Sequence, residues 1–137
     1  MLDIWGFIAQ NMIMSCIEEW WHMKNPKILH EIINDIAPES TTLRRVGVVG
    51  SFARGTSGEH SDIDLVFDSG HNLIDEAILS AGIKIRKILQ DQFGMRTDII
   101  NYHTIVRKVS DGTARSPELA GYKQMLDDLQ WIWAREA

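Results

Sequence analysis

Residues 46–67 read VGVVGSFARGTSGEHSDIDLVF, and the order of features in this stretch decides how the rest of the chain is understood. It opens on a β-branched apolar run, Val46 to Val49, which predicts a strand. The run stops at Gly50-Ser51, ten residues follow Ser51, and Asp62-Ile63-Asp64-Leu65 then begins a second alternating run that continues to Phe67. Side chains on a strand alternate faces, so Asp62 and Asp64 point one way while Ile63 and Leu65 are directed to a core behind them. Two carboxylates so close repel each other unless a cation lies between them. Oxygen-only ligands select hard ions, Mg²⁺ or Mn²⁺ above all.

A third acid, Asp98, sits in the run Arg96 to Ile100, flanked by apolar neighbours as in a strand from the middle of a sheet. Aspartate is a poor strand former, so its presence there asks for a reason. If that strand lies beside the one bearing Asp62 and Asp64, three carboxylates converge, enough to hold two metal ions about 3.5–4 Å apart. Gly50 permits close backbone approach to a ligand, and Ser51 offers a hydroxyl and an amide where a short helix can begin. Arg54 follows about one helical turn later, where its guanidinium fork can reach phosphate oxygens.

Outward from this centre the chain changes period. Pro26 to Ile36 predicts a helix with Ile28, Leu29, Ile32, Ile33 and Ile36 on its buried side, ended by Pro38-Glu39-Ser40. Asp75 to Gln92 carries apolar residues at helical spacing despite Gly82. Ser116-Pro117-Glu118 has the chemistry of a helix start, with Ser116 as the cap, so Pro117 to Arg135 reads as a terminal helix. Residues 104–115 read as a connection, with a strand or a helical turn left open for part of it. Leu2, Trp5, Ile8, Met12, Cys16 and Trp20 recur at spacings of three and four, which predicts an amphipathic helix rather than a signal or membrane span, because Asp3, Gln10, Asn11, Glu18 and Glu19 interrupt the stretch. All five tryptophans (5, 20, 21, 131 and 133) thereby fall in the first or last helix, as core between the termini or as anchors for a partner or for self-association.

Composition sets the remaining bounds. The chain has 137 residues, 14 Lys+Arg against 19 Asp+Glu for a net charge of −5, 45% apolar residues, and Cys16 as its single thiol. That profile excludes disordered, collagen-like and disulfide-scaffold classes and predicts one domain over residues 1–137. A chain of this length buries roughly 68% of its unfolded surface and needs no cross-link to hold a core. The acidic balance argues against a broad nucleic-acid-binding surface, and a lone thiol suits a reducing cytoplasm. His22, His30, His60, His71 and His103 have no paired metal-ligand spacing, and neither a P-loop nor a dinucleotide fingerprint is present. The expected class is α+β, in a two-layer α/β arrangement with helices packed on a small mixed sheet.

Gly50-Ser51-Phe52-Ala53-Arg54-Gly55 followed by Ser61-Asp62-Ile63-Asp64-Leu65 resembles the signature of the DNA polymerase β-like nucleotidyltransferase superfamily. Within it the chain looks most like the minimal nucleotidyltransferases, whose members include antitoxins paired with HEPN-domain toxins. The resemblance covers residues 43–102, the expected catalytic core; the helical N-terminal extension expected over 1–40 and the C-terminal helix expected over 116–136 lie outside its pattern. It implies that Asp62 and Asp64 are the metal-binding pair and Asp98 the third carboxylate, with Gly50 and Ser51 holding the terminal phosphates and Arg54 contacting phosphate. Two Mg²⁺ ions, with Mn²⁺ as a substitute, and ATP or another nucleoside triphosphate are the implied cofactor and substrate. The activity implied is transfer of a nucleoside monophosphate to a hydroxyl, with AMP and a tyrosine of a partner toxin as the first expectation. Transfer to a small molecule of the antibiotic type, and a non-catalytic antitoxin that binds and masks its partner, remain as alternatives.

Overall fold

The computed structural model describes residues 27–55, 62–71, 75–112 and 115–135. The helix expected over residues 1–23, with Cys16 and three of the tryptophans, lies outside the described residues. The three apolar runs become strands β1 (Arg45–Val49), β2 (Ile63–Asp68) and β3 (Thr97–Asn101), and a fourth, β4 (Gln130–Ala134), completes a sheet of order β3-β2-β1-β4. β1 is antiparallel to β2 and β4, whereas β2 and β3 run parallel. The sheet is therefore mixed and the class α+β, as the sequence predicts. Its helices are α1 (27–36), α2 (Gly50–Arg54), α3 (Glu76–Phe93), α4 (Tyr102–Ser110) and α5 (Ser116–Asp128).

Strand alternation divides the core in two. Val46, Val48, Ile63, Leu65 and Phe67 pack with α1 and α3 through Leu29, Ile33, Ile78, Ile85 and Leu89. Val49 and Val66 face the other way, toward Ile105 of α4 and Tyr122, Met125 and Leu126 of α5. Helices thus cover both faces, and each fully buried Leu, Ile or Val contributes about 1.5–3 kcal/mol. α3 is capped by the Asp75 side chain, which accepts from the Ile78 amide at 2.9 Å. Gly82, a weak point for helix propensity, lets α3 lie directly on β3: a Cβ there would stand 2.8 Å from Ile99 Cδ1.

Three expectations are corrected. The terminal helix expected over Pro117–Arg135 ends at Asp128, and residues 130–134 form β4 against β1. Adjacent acids at a helix C-terminus oppose the dipole there. β4 instead covers the edge of β1, where Trp131 pairs with Gly47 and Trp133 with Val46. Trp131 packs edge-on to Tyr102 at 5.2 Å with the Arg45 guanidinium 3.9 Å from its ring centre, so both described tryptophans sit on a strand rather than in a helix. Secondly, the helical turn left open within the connection is a full helix over residues 102–110, and Asn101 caps it by accepting from the His103 amide at 3.1 Å. Thirdly, β3 is an edge strand. Its apolar look comes from α3 on one face and α4 on the other. A smaller shift places Arg115, not Ser116, at the cap of α5.

Candidate active site

β1 runs out at Val49 and the chain turns at Gly50, whose φ of +75° lies in the left-handed region that side chains disfavour. A second constraint acts at the same residue, since a Cβ on Gly50 would stand 3.0 Å from Asp64 Oδ2. The turn is pressed against the first carboxylate of the row. Asp64 pairs in register with Val49 on one side and with Asp98 on the other, so antiparallel and parallel pairing together bring the Gly50 turn, Asp64 and Asp98 into line across three strands. Asp62 precedes Asp64 by two residues on the same face. It lies 3.8 Å from Arg96, a loose pair between side chains that are 42% and 73% exposed.

Like charge gathers at the centre of this row. Burial raises the pKa of Asp64, and the charges of Asp98 and then Asp62 raise it further. Asp68, four residues along the same face, shows the contrast. Burial pushes its carboxyl up, but the Gly70 amide at 2.8 Å, the Arg45 guanidinium at 2.6 and 2.9 Å and His103 outweigh that and leave it below the usual range. Asp68 is a satisfied structural carboxylate, while Asp64 is held against like charge. Oxygen donors with surplus negative charge fit a hard divalent cation. Among the described residues no three His, Cys, Asp or Glu side chains are gathered into a preformed cluster. Coupling runs pairwise through Asp64, so a cation would have to draw Asp62 and Asp98 toward it.

Ser51 lies half-buried in the first turn of α2. Arg54, at the other end of that helix, is engaged elsewhere: its Nη1 donates to Asp128 Oδ2 at the end of α5. Asp128 is 8% exposed by side chain and also accepts from Gln124 Nε2 at 3.0 Å. Gln130 Nε2 on β4 donates to the Ala53 carbonyl at 2.8 Å. The short helix beside Asp64 is therefore braced by the α5–β4 segment. Sequence reasoning missed Asp128 and Gln130, which lie 74 and 77 residues from their partners, beyond the reach of any local spacing.

A family model described as a nucleotidyltransferase domain matches residues 28–125, which is 98 of the 137 residues. No curated protein matches the sequence. Among solved structures, a mutant form of the MntA–HpeT toxin–antitoxin complex aligns with TM-score 0.48 at 14% identity, covering 79% of this chain and 74% of that one. A toxin–antitoxin with AMP-PNP aligns with TM-score 0.47 at 18% identity over 82% and 74%. A tri-AMPylated Shewanella oneidensis HEPN toxin in complex with its MNT antitoxin gives 0.46 at 14% identity over 80% and 73%. With the family match spanning the Gly50 turn and all three aspartates, the chain belongs to the nucleotidyltransferase-domain family.

Proposed function

We propose that the protein transfers a nucleoside monophosphate, AMP from ATP in the first instance, to a hydroxyl on a partner protein. The observation that carries this reading is the register of β2 and β3, which sets Asp98 beside Asp64 next to the Gly50 turn in a chain of this family. Asp62, Asp64 and Asp98 are the residues that would hold divalent ions, which when bound supply charge neutralisation at the triphosphate. Gly50 gives the phosphates close access to the backbone, and the Ser51 hydroxyl orients the terminal ones. Asp98, exposed at the sheet edge, accepts the proton of the attacking hydroxyl. Arg54, the phosphate contact that the resemblance implies, would have to share its guanidinium between Asp128 and the phosphates. The choice of a tyrosine on a HEPN-type toxin rests on the resemblance of the sequence motif to minimal nucleotidyltransferases. The site is expected to serve its partner by modifying it.

Incubation of the protein with labelled ATP, GTP, CTP and UTP plus Mg²⁺, with and without a HEPN-type partner, followed by mass spectrometry of the products, tests the reading. A partner heavier by one nucleoside monophosphate is the expected result. An unmodified partner with no pyrophosphate release from any of the four would refute it.

A further inference from the structure

Among the described residues two arginines flank the carboxylate row, and the fold treats them differently. Arg54, on the β1 side, is tied to Asp128, a carboxylate whose side chain is 8% exposed and which is costly to leave without its cation. Arg96 stands on the β3 side. The Ile63 amide donates to the Arg96 carbonyl at 2.9 Å, which extends the parallel pairing by one step and sets Arg96 beside Asp62 as Asp98 is set beside Asp64. Arg96 also precedes Asp98 by two residues, so alternation puts its side chain on the face that carries Asp62, Asp64 and Asp98. Its 3.8 Å contact with Asp62 agrees with that placement. Three acids and one guanidinium thus form the four corners of this end of β2 and β3. The pair with Asp62 is loose and its arginine 73% exposed, so it contributes little to stability and exchanges partners readily.

We propose that Arg96 is a further catalytic residue, donating to the phosphoryl group as it is transferred. The assignment rests on the nucleotidyl-transfer reading of the preceding subsection and supplies the cation that Arg54, shared with Asp128, provides only in part. Terminal phosphates held at Gly50 and Ser51 lie at the end of β1, so the α-phosphate extends toward β3, two strand spacings or about 9–10 Å away. The arginine side chain reaches it from β3, beside Asp98. In the step, the acceptor oxygen forms a bond to the α-phosphorus and the bond from that phosphorus to pyrophosphate breaks. The hydroxyl proton passes to Asp98. Negative charge on the non-bridging oxygens is met by N–H bonds from Arg96, which gives up no proton because its guanidinium stays charged at any working pH. Before substrate arrives, Asp62 holds this side chain in place. Asp62 cannot serve a divalent ion and Arg96 equally well, so loading of the acids releases the guanidinium to the phosphate.

Arg96→Gln and Arg96→Lys are compared with the unaltered protein in two measurements, after melting curves have shown that substitution at this exposed position leaves the fold intact. In the first, Mn²⁺ is titrated onto nucleotide-free protein and the free ion is followed by electron paramagnetic resonance. Arg96→Gln should bind Mn²⁺ about twofold to fivefold more tightly, the range set by an exposed ion pair, whereas Arg96→Lys should match the unaltered protein. In the second, release of pyrophosphate from ATP with Mg²⁺ is measured at several ATP concentrations. Arg96→Gln should lower kcat on the order of 10-fold to 100-fold while KM for ATP moves by less than about threefold, the pattern of a contact made in the transition state. Arg96→Lys, with the charge but not the fork, should recover part of that loss. A kcat for Arg96→Gln within about twofold of the unaltered protein, or a loss confined to KM, overturns the role of Arg96 and leaves nucleotidyl transfer standing. So does a Mn²⁺ affinity that the substitution does not change, because Asp62 then never exchanges Arg96 for the ion. Absence of pyrophosphate release by the unaltered protein overturns both readings.

Discussion

Gly50→Ala separates backbone strain from damage to the acids. Holding an alanine at φ +75° costs about 1–2 kcal/mol, and the loss of unfolded-chain freedom returns about 0.4–1 kcal/mol of that. The net destabilisation is roughly 1 kcal/mol, or a fall of roughly 3–5 °C in Tm for a domain of this size. The same substitution at Gly94, φ +63°, carries a similar backbone cost, yet no described atom lies within 4 Å of its added Cβ. At Gly50 the new methyl group meets Asp64 Oδ2 at 3.0 Å and must displace it by a few tenths of an ångström. Small displacements of a reacting group cost on the order of 10-fold to 100-fold in rate. Thermal melts and ATP-dependent pyrophosphate release on the two variants are the assay. Similar melting temperatures with activity lost only in Gly50→Ala are expected. Equal activity in both variants would refute the placement of Asp64 against the turn as a catalytic feature.

Two other side chains give predictions about stability. Thr97 is 2% exposed and its Oγ1 has no hydrogen-bond partner among the described residues, so Thr97→Val should raise stability by about 1 kcal/mol in a denaturant titration. Asp68 has its carboxyl pKa lowered by folding, so its contribution is present above the unfolded value near 3.8 and is lost as the pH falls through the lower folded value. Melting temperatures followed down the acid limb should therefore drop more steeply for the unaltered protein than for Asp68→Asn. The variant itself should be less stable at neutral pH because Arg45 loses its partner.

The sequence made the site more legible than the frame around it, for reasons that particular residues make plain. The turn at Gly50 and the alternation of Asp62 and Asp64 are local features, and a spacing of two on a strand fixes a shared face whatever the tertiary context. Asp98 is another matter: its neighbourhood with them was a condition in the sequence, met only by the parallel pairing of β2 and β3 in the folded chain. β4 was hidden for a different reason. Gln130–Ala134 carries apolar residues for both faces of the sheet, and a short run of that kind reads equally well as the end of a helix. The alternation of Trp131 and Trp133 was the one local hint of a strand. α4 was obscured by the β-branched Thr104, Ile105, Val106 and Val109, which lower helix propensity, while its cap at Asn101 sits inside β3. The brace from Asp128 to Arg54 joins distant parts of the chain, so only the folded structure reveals it.

Nucleotidyl transfer by Asp64→Asn, read beside its melting temperature, tests the central claim most directly. Removing a carboxylate that burial and two like charges disfavour should leave Tm at or above that of the unaltered protein at pH 7. The Mg²⁺-dependent release of pyrophosphate should fall on the order of 10²–10³-fold. A folded variant that transfers nucleotide at nearly the original rate would contradict the account.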